Sequence, residues 1–239
     1  MLIFPAIDLI DGQAVRLYQG DYAQKQVFGD DPAAFASSFV EQGAAYLHLV
    51  DLDGAKQGKP VNSETVRRIA SIEGLFVELG GGIRTREAVA QCFENGVGRV
   101  IFGTSAMKDP AFTQEMVSAY GEAIAVGVDA RDGKVAVEGW LQTTVVDSYD
   151  FCREMMNIGV KTIIYTDIAR DGAQQGANLA VYERLAALKG LSVTASGGVS
   201  SLEDVRALRE MGLYAAILGK ALYTGTLDLQ EAIATANGQ

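Results

Sequence analysis

The chain has 239 residues, close to the roughly 250 of an eight-stranded α/β barrel and long enough to bury a substantial core. Thirty acidic against 20 basic residues give a formal net charge of −10, the opposite of a nucleic-acid-binding footprint, although backbone amides can still hold an anion locally. No apolar run approaches the roughly 18 residues of a membrane helix, and residues 1–10 lack a basic leader, so a cytoplasmic protein without a membrane partner is expected.

In chain order, short β-type runs predict strands over 2–8, 46–51, 75–79, 99–103, 123–129, 161–166, 192–196 and 215–218. Helical patterns lie between them near 33–43, 62–71, 86–95, 110–119, 147–158, 178–189, 201–211 and 228–235. Strict β-then-α alternation implies a parallel sheet. Runs such as Arg99-Val100-Ile101-Phe102 are nearly continuously apolar, as strands covered on both faces are. Eight units favour one closed (β/α)8 TIM barrel over residues 1–239; an open doubly wound sheet is the competing arrangement. Glycine, 27 of 239 residues, is in excess while proline numbers only 4, which suits many tight turns between regular elements. Cys92 and Cys152 fall in separate helical patterns without metal-ligand spacing and fit a reduced compartment.

The chain also resembles itself at a spacing of 116 residues. Leu49-Val50-Asp51-Leu52 resembles Tyr165-Thr166-Asp167-Ile168, Gly81-Gly82-Ile83 resembles Gly197-Gly198-Val199, and Ile101-Phe102-Gly103 resembles Ile217-Leu218-Gly219. Asp8 and Asp129 pair at the longer spacing of 121, which places about five extra residues in the first half, in a loop around 19–30. Two half-barrels, about 1–120 and 121–239, are therefore expected.

In a barrel the reacting groups sit at the C-terminal ends of the strands. Asp8 and Asp129 occupy such ends on opposite sides of the mouth, Asp51 and Asp167 lie at others, and Asp171 follows in a loop. Any one aspartate at a strand end can simply cap local amides, but two facing carboxylates suit general acid–base chemistry. The single histidine, His48, sits among apolar neighbours and is expected to be structural, which leaves proton transfer to carboxylates. Gly81-Gly82 and Gly103-Thr104 follow the third and fourth strands; Gly197-Gly198 and Gly219-Lys220 follow the seventh and eighth. Each set offers backbone amides to a phosphate, so an elongated small-molecule substrate with a phosphate at each end is expected, unless one set is a vestige of duplication. Trp140, the only tryptophan, is either a core residue or a plate for a heterocycle. Arg16 and Arg84 are positioned to meet anionic or carbonyl groups, or simply solvent.

Pro5-Ala6-Ile7-Asp8-Leu9-Ile10-Asp11-Gly12, His48-Leu49-Val50-Asp51-Leu52-Asp53-Gly54-Ala55, Gly80-Gly81-Gly82-Ile83-Arg84, Tyr165-Thr166-Asp167-Ile168-Ala169-Arg170-Asp171-Gly172 and Ser196-Gly197-Gly198-Val199 together resemble one family across essentially the whole chain. It is that of the phosphoribosylformimino-5-aminoimidazole carboxamide ribotide isomerases of histidine biosynthesis. The resemblance implies an intramolecular aldose–ketose isomerase (an Amadori rearrangement) that uses no metal or organic cofactor. It implies Asp8 as general base, Asp129 as general acid with Asp171 as competitor, Thr166 as a substrate contact, and a first loop that closes over the substrate. The sister cyclase usually opens Pro-Cys-Leu-Asp where this chain has Pro5-Ala6-Ile7-Asp8. Bifunctional isomerases that also act on phosphoribosylanthranilate often carry arginine where Glu138 stands. A non-catalytic phosphosugar-binding protein is the reading from another class. A monomer is expected, since both phosphate sites come from one chain.

Overall fold

The computed structural model describes residues 1–18 and 21–239. Twelve strands occur among them: β1 (Leu2–Ile10), β2 (Gln13–Tyr18), β3 (Asp21–Gly29), β4 (Tyr46–Asp51), β5 (Phe76–Gly80), β6 (Arg99–Phe102), β7 (Ile124–Arg131), β8 (Lys134–Val137), β9 (Gln142–Asp147), β10 (Thr162–Asp167), β11 (Ser192–Ser196) and β12 (Ala215–Leu218). Eight of them pair in parallel in the order β1-β4-β5-β6-β7-β10-β11-β12, and β12 pairs back onto β1, Leu2 opposite Ala215. The sheet is thus closed, and the expected (β/α)8 barrel replaces the open-sheet alternative.

The helices are α1 (Pro32–Glu41), α2 (Leu52–Gln57), α3 (Ser63–Ala70), α4 (Arg86–Glu94), α5 (Thr104–Lys108), α6 (Pro110–Tyr120), α7 (Ser148–Asn157), α8 (Leu179–Ala186), α9 (Leu202–Glu210), α10 (Lys220–Tyr223) and α11 (Leu229–Asn237). Their starts are written locally. Asp31, Asp109, Asp147 and Asp228 each accept a backbone N–H at an N-cap, and Pro32 and Pro110 open their helices where a missing N–H costs nothing. Ser201 and Asp204 form a reciprocal capping box. The short helices α2, α5 and α10 were not expected; all three follow barrel strands directly on the side of the mouth.

Two cores result. The larger lies between barrel and helices and includes Leu47, Leu49, Val100, Met155, Tyr182 and Leu208. The smaller fills the barrel itself with Phe4, Ala6, Ile101, Ala125, Ile164, Ala215 and Ile217. Because strand side chains alternate, Phe4, Ala6 and Asp8 share the inward face of β1, as Ala125, Gly127 and Asp129 share that of β7. The same alternation that packs the lower barrel thus aims both aspartates into its mouth.

The departures from expectation concern the first and fifth strands. Both run on past their aspartates, to Ile10 and Arg131, and each turns into an antiparallel arm, β2–β3 and β8–β9. The turns are Asp11-Gly12, with φ of 52° and 73°, and Asp132-Gly133, with φ of 51° and 74°. Both are two-residue hairpin connections with positive φ at each centre, which Asp-Gly favours. The expected loop around 19–30 is therefore largely strand β3; Gln19 and Gly20 lie outside the described residues. No helix of the described residues is long and apolar enough to cross a membrane.

Candidate active site

A cavity opens at the C-terminal ends of the barrel strands. Of the residues singled out from the sequence, Asp8, Arg16, Gly81, Gly82, Arg84, Gly103, Thr104, Asp129, Trp140, Thr166, Asp171, Gly197, Gly198, Gly219 and Lys220 line it. In the ring of eight strands, β1 and β7 stand opposite one another, so Asp8 and Asp129 face each other across it. The β5 and β6 ends likewise face those of β11 and β12.

The glycine turns are built by close backbone approach. Gly81 and Gly82 have φ of 111° and 76°, and a Cβ on either would run into the backbone carbonyls of Asp51 and Gly54. Gly197 and Gly198, with φ of 85° and 90°, stand in the same relation to the carbonyls of Asp167 and Gly176. Gly103 and Gly219 start α5 and α10 with nearly equal dihedrals, −99°/−99° and −106°/−113°. Both sides of the mouth thus end in turns followed by helix N-termini, where free amides and the helix dipole favour an anion.

Asp8 is bound by Arg16, Nη1 to Oδ2 at 2.8 Å, and the guanidinium also donates to the Ala6 carbonyl and lies over the Tyr223 ring. Gly219 leaves room for it: a Cβ there would stand 3.1 Å from Nη2. Asp129 is half-buried at the cavity wall, and burial raises its pKa against the pull of the Trp140 indole N–H and the Thr166 hydroxyl. Asp171 goes further. Burial pushes its carboxyl to about 6, with Asp8 and Asp129 adding to the rise and Arg16 and Lys220 opposing it. Lys220 donates from Nζ to the Gly172 carbonyl at 2.9 Å, and the Thr104 hydroxyl accepts from the Glu138 N–H at 2.9 Å. Arg84 is exposed at the rim, 3.4 Å from the Ala55 carbonyl.

Trp140 sits in the turn between β8 and β9. Glu138, Gly139 and Trp140 are three successive positive-φ residues, at 57°, 64° and 71°, and two of them carry side chains that disfavour that region. An ion pair of Glu138 with Lys108 at 2.6 Å ties the turn down. Strain held at the wall of a cavity, with the indole turned into it, favours the plate reading of Trp140 over the core reading.

Asp51 and Asp167 take the structural role instead. Asp51 is 2% exposed and accepts from Gly54, Val61 and Asn62 N–H groups and the Asn62 amide; Asp167 accepts from the Ala169 N–H and the Asn178 amide. Neither lines the cavity. Cys92 and Cys152 are buried in α4 and α7, and burial pushes both thiols up to about 12. Among the described residues no group of His, Cys, Asp and Glu is arranged to hold a metal.

Sequence reasoning missed three cavity residues. Tyr22, at the start of β3, donates its hydroxyl to the Leu52 carbonyl, 3.1 Å away, and Gln174 reaches the Thr224 and Thr226 hydroxyls. His48, expected to be only structural, is bonded to Glu78 inside the barrel and also presents its ring to the cavity.

A closed barrel whose mouth holds opposed carboxylates between two glycine turns defines a class: an α/β-barrel protein built for a doubly anionic small molecule. Comparison with known proteins gives the family. Residues 2–228 match the family described as histidine biosynthesis protein, and the chain belongs to it. A relative from Picosynechococcus sp. is 52% identical over 98% of this chain and 92% of its own length. Relatives from Roseiflexus castenholzii, 48% identical over 98% of this chain and 99% of theirs, and Geobacillus kaustophilus, 49% over 98% and 97%, are similar to the same extent. All three are named as isomerases of a doubly phosphoribosyl-bearing imidazole-4-carboxamide.

Proposed function

We propose that the chain is the aldose–ketose isomerase of histidine biosynthesis, converting a bis-phosphoribosyl aminoaldose to its aminoketose. The observation that carries this reading is the opposition of Asp8 and Asp129, with Asp171 beside them, in one cavity flanked by paired glycine turns. The near full-length relatives support the isomerase over the sister cyclase.

The two turns hold the terminal phosphates, Gly81, Gly82, Gly103 and Thr104 at one end and Gly197, Gly198, Gly219 and Lys220 at the other, with Arg84 at the rim. Trp140 stacks on the imidazole, and Thr166 contacts the sugar. An acid protonates the ribose ring oxygen as the ring opens to a Schiff base. Asp8 then removes the C2 proton, and the electron pair moves to form an enolamine. The acid comes from Asp129 and Asp171: burial raises both, and the rise of Asp171 to about 6 makes it the member that keeps a proton nearest neutrality. Arg16, which lines the cavity beside Asp8, offers its charge to the substrate's anionic or carbonyl groups.

The test is turnover of that aminoaldose by purified protein without added metal, beside Asp8→Asn, Asp129→Asn and Asp171→Asn. Wild-type turnover with a loss of about 10²-fold or more in Asp8→Asn and in at least one of the other two is expected. A folded wild type without turnover overturns the reading.

A further inference from the structure

Below the cavity the barrel interior is built around an apolar cluster, and one row within it is charged. Strand register places His48 opposite Glu78 and Glu78 opposite Arg99, across three neighbouring strands. Glu78 is wholly buried, with His48 Nδ1 at 2.8 Å from Oε1 and Arg99 Nη1 at 3.2 Å from Oε2. Arg99 is itself held by the Glu122 carbonyl and the Tyr214 hydroxyl, and it lies over the Phe76 and Tyr214 rings. Burying such a group of charges is costly, and an apolar set of the same volume would fill the barrel at no such cost. A use at the cavity accounts for it.

The row fixes the imidazole. Arginine stays protonated, so the carboxylate it holds is an acceptor, and Nδ1 is the nitrogen that donates to it. In the neutral ring, Nε2 then carries the lone pair. Among the described residues Nε2 has no hydrogen-bond partner, nor is it one of the buried side-chain atoms left without one. The ring lines the cavity, so Nε2 opens into it. The groups around it are Glu78 on β5, Arg99 on β6, Asp129 on β7 and Asp8 on β1.

We propose that His48 is a further catalytic residue of the isomerisation, its Nε2 accepting the proton of the substrate's C2 hydroxyl, with Glu78 and Arg99 as positioning residues. This rests on the isomerase reading above and supplies a step that two carboxylates leave open. Once Asp8 holds the C2 proton, the enolamine must become a ketone. The O–H bond breaks, C2=O forms, and the C1=C2 pair takes a proton at C1. Asp8 returns its proton to C1, and Nε2 takes the one from oxygen. The resulting imidazolium, stabilised through Nδ1–H on Glu78, passes that proton to the carboxylate that protonated the ring oxygen. All groups then return to their starting state.

His48→Asn is the informative variant, because its amide nitrogen can stand where Nδ1 stands and keep the bond to Glu78 while Nε2 is deleted. Its kcat should fall by about 10²-fold with KM within a few-fold, and Glu78→Gln should fall by about tenfold. Because the chain has one histidine, ¹⁵N spectra of imidazole-labelled, untagged protein report this ring alone. The Nδ1–H tautomer should dominate in wild type and give way to a mixture in Glu78→Gln. Wild-type turnover with His48→Asn retaining kcat within about threefold would overturn the proposal, as would a dominant Nε2–H tautomer in wild type, which also decides should the variants not fold. No wild-type turnover would instead overturn the isomerase reading and this step with it.

Discussion

Asp171 shows at the scale of one residue how a site is held against the interest of the fold. Its folded pKa, about 6, lies above the 3.8 of an exposed carboxyl, so the folded state binds the proton more tightly. The resulting stability is present below pH 3.8 and is lost as pH rises towards 6, leaving the folded state about 3 kcal/mol worse off at pH 8. Asp171→Asn should therefore melt roughly 6–12 °C higher than wild type at pH 8, at about 2–4 °C per kcal/mol, with little gain at pH 4. Thermal denaturation at the two pH values checks this; an equal gain at both would mean that ionisation is not the cause. Asp51, by contrast, spends both oxygens on backbone and Asn62 donors, so an aspartate at the end of a barrel strand can be wholly structural.

The regular elements were the most readable part of the sequence, because eight apolar strand runs alternating with helical patterns admit few arrangements. The arms β2–β3 and β8–β9 were passed over although Asp11-Gly12 and Asp132-Gly133 advertise their turns; β3 is too polar and exposed to show the periodicity of a half-buried strand. The site aspartates and glycine turns were readable because strand ends in a barrel all meet at one mouth. His48 was not, since its partners Glu78 and Arg99 lie 30 and 51 positions on and become neighbours only through strand register. We infer that the chain is two related halves: Asn62 on Asp51 and Asn178 on Asp167 repeat one contact at the 116-residue spacing, and the two Asp-Gly turns repeat at 121. The glycine turns bear on element stability. Gly81→Ala meets both a positive φ and the Asp51 carbonyl, whereas Gly74→Ala meets a positive φ and open space. The first should cost at least ~2 kcal/mol more than the second in denaturant unfolding; equal costs would mean that the close approach carries no weight.

On the scale of the whole molecule, closure of β12 on β1 removes the barrel's own strand edges and leaves free edges on the arm strands β3 and β9 at the mouth. Both glycine turns and all three candidate carboxylates come from one chain, so nothing in the cavity calls for a second copy. A single species near 25.4 kDa in sedimentation equilibrium is expected, and a stable dimer would refute this. The strained turn between β8 and β9 has an optical consequence. It sets the molecule's one indole at the cavity wall, in the same cavity as Asp129, so tryptophan emission arises from a single place, beside the reacting groups. The intensity and colour of that emission are thus a built-in gauge of what fills the mouth of the barrel, readable in unlabelled protein while the chemistry proceeds.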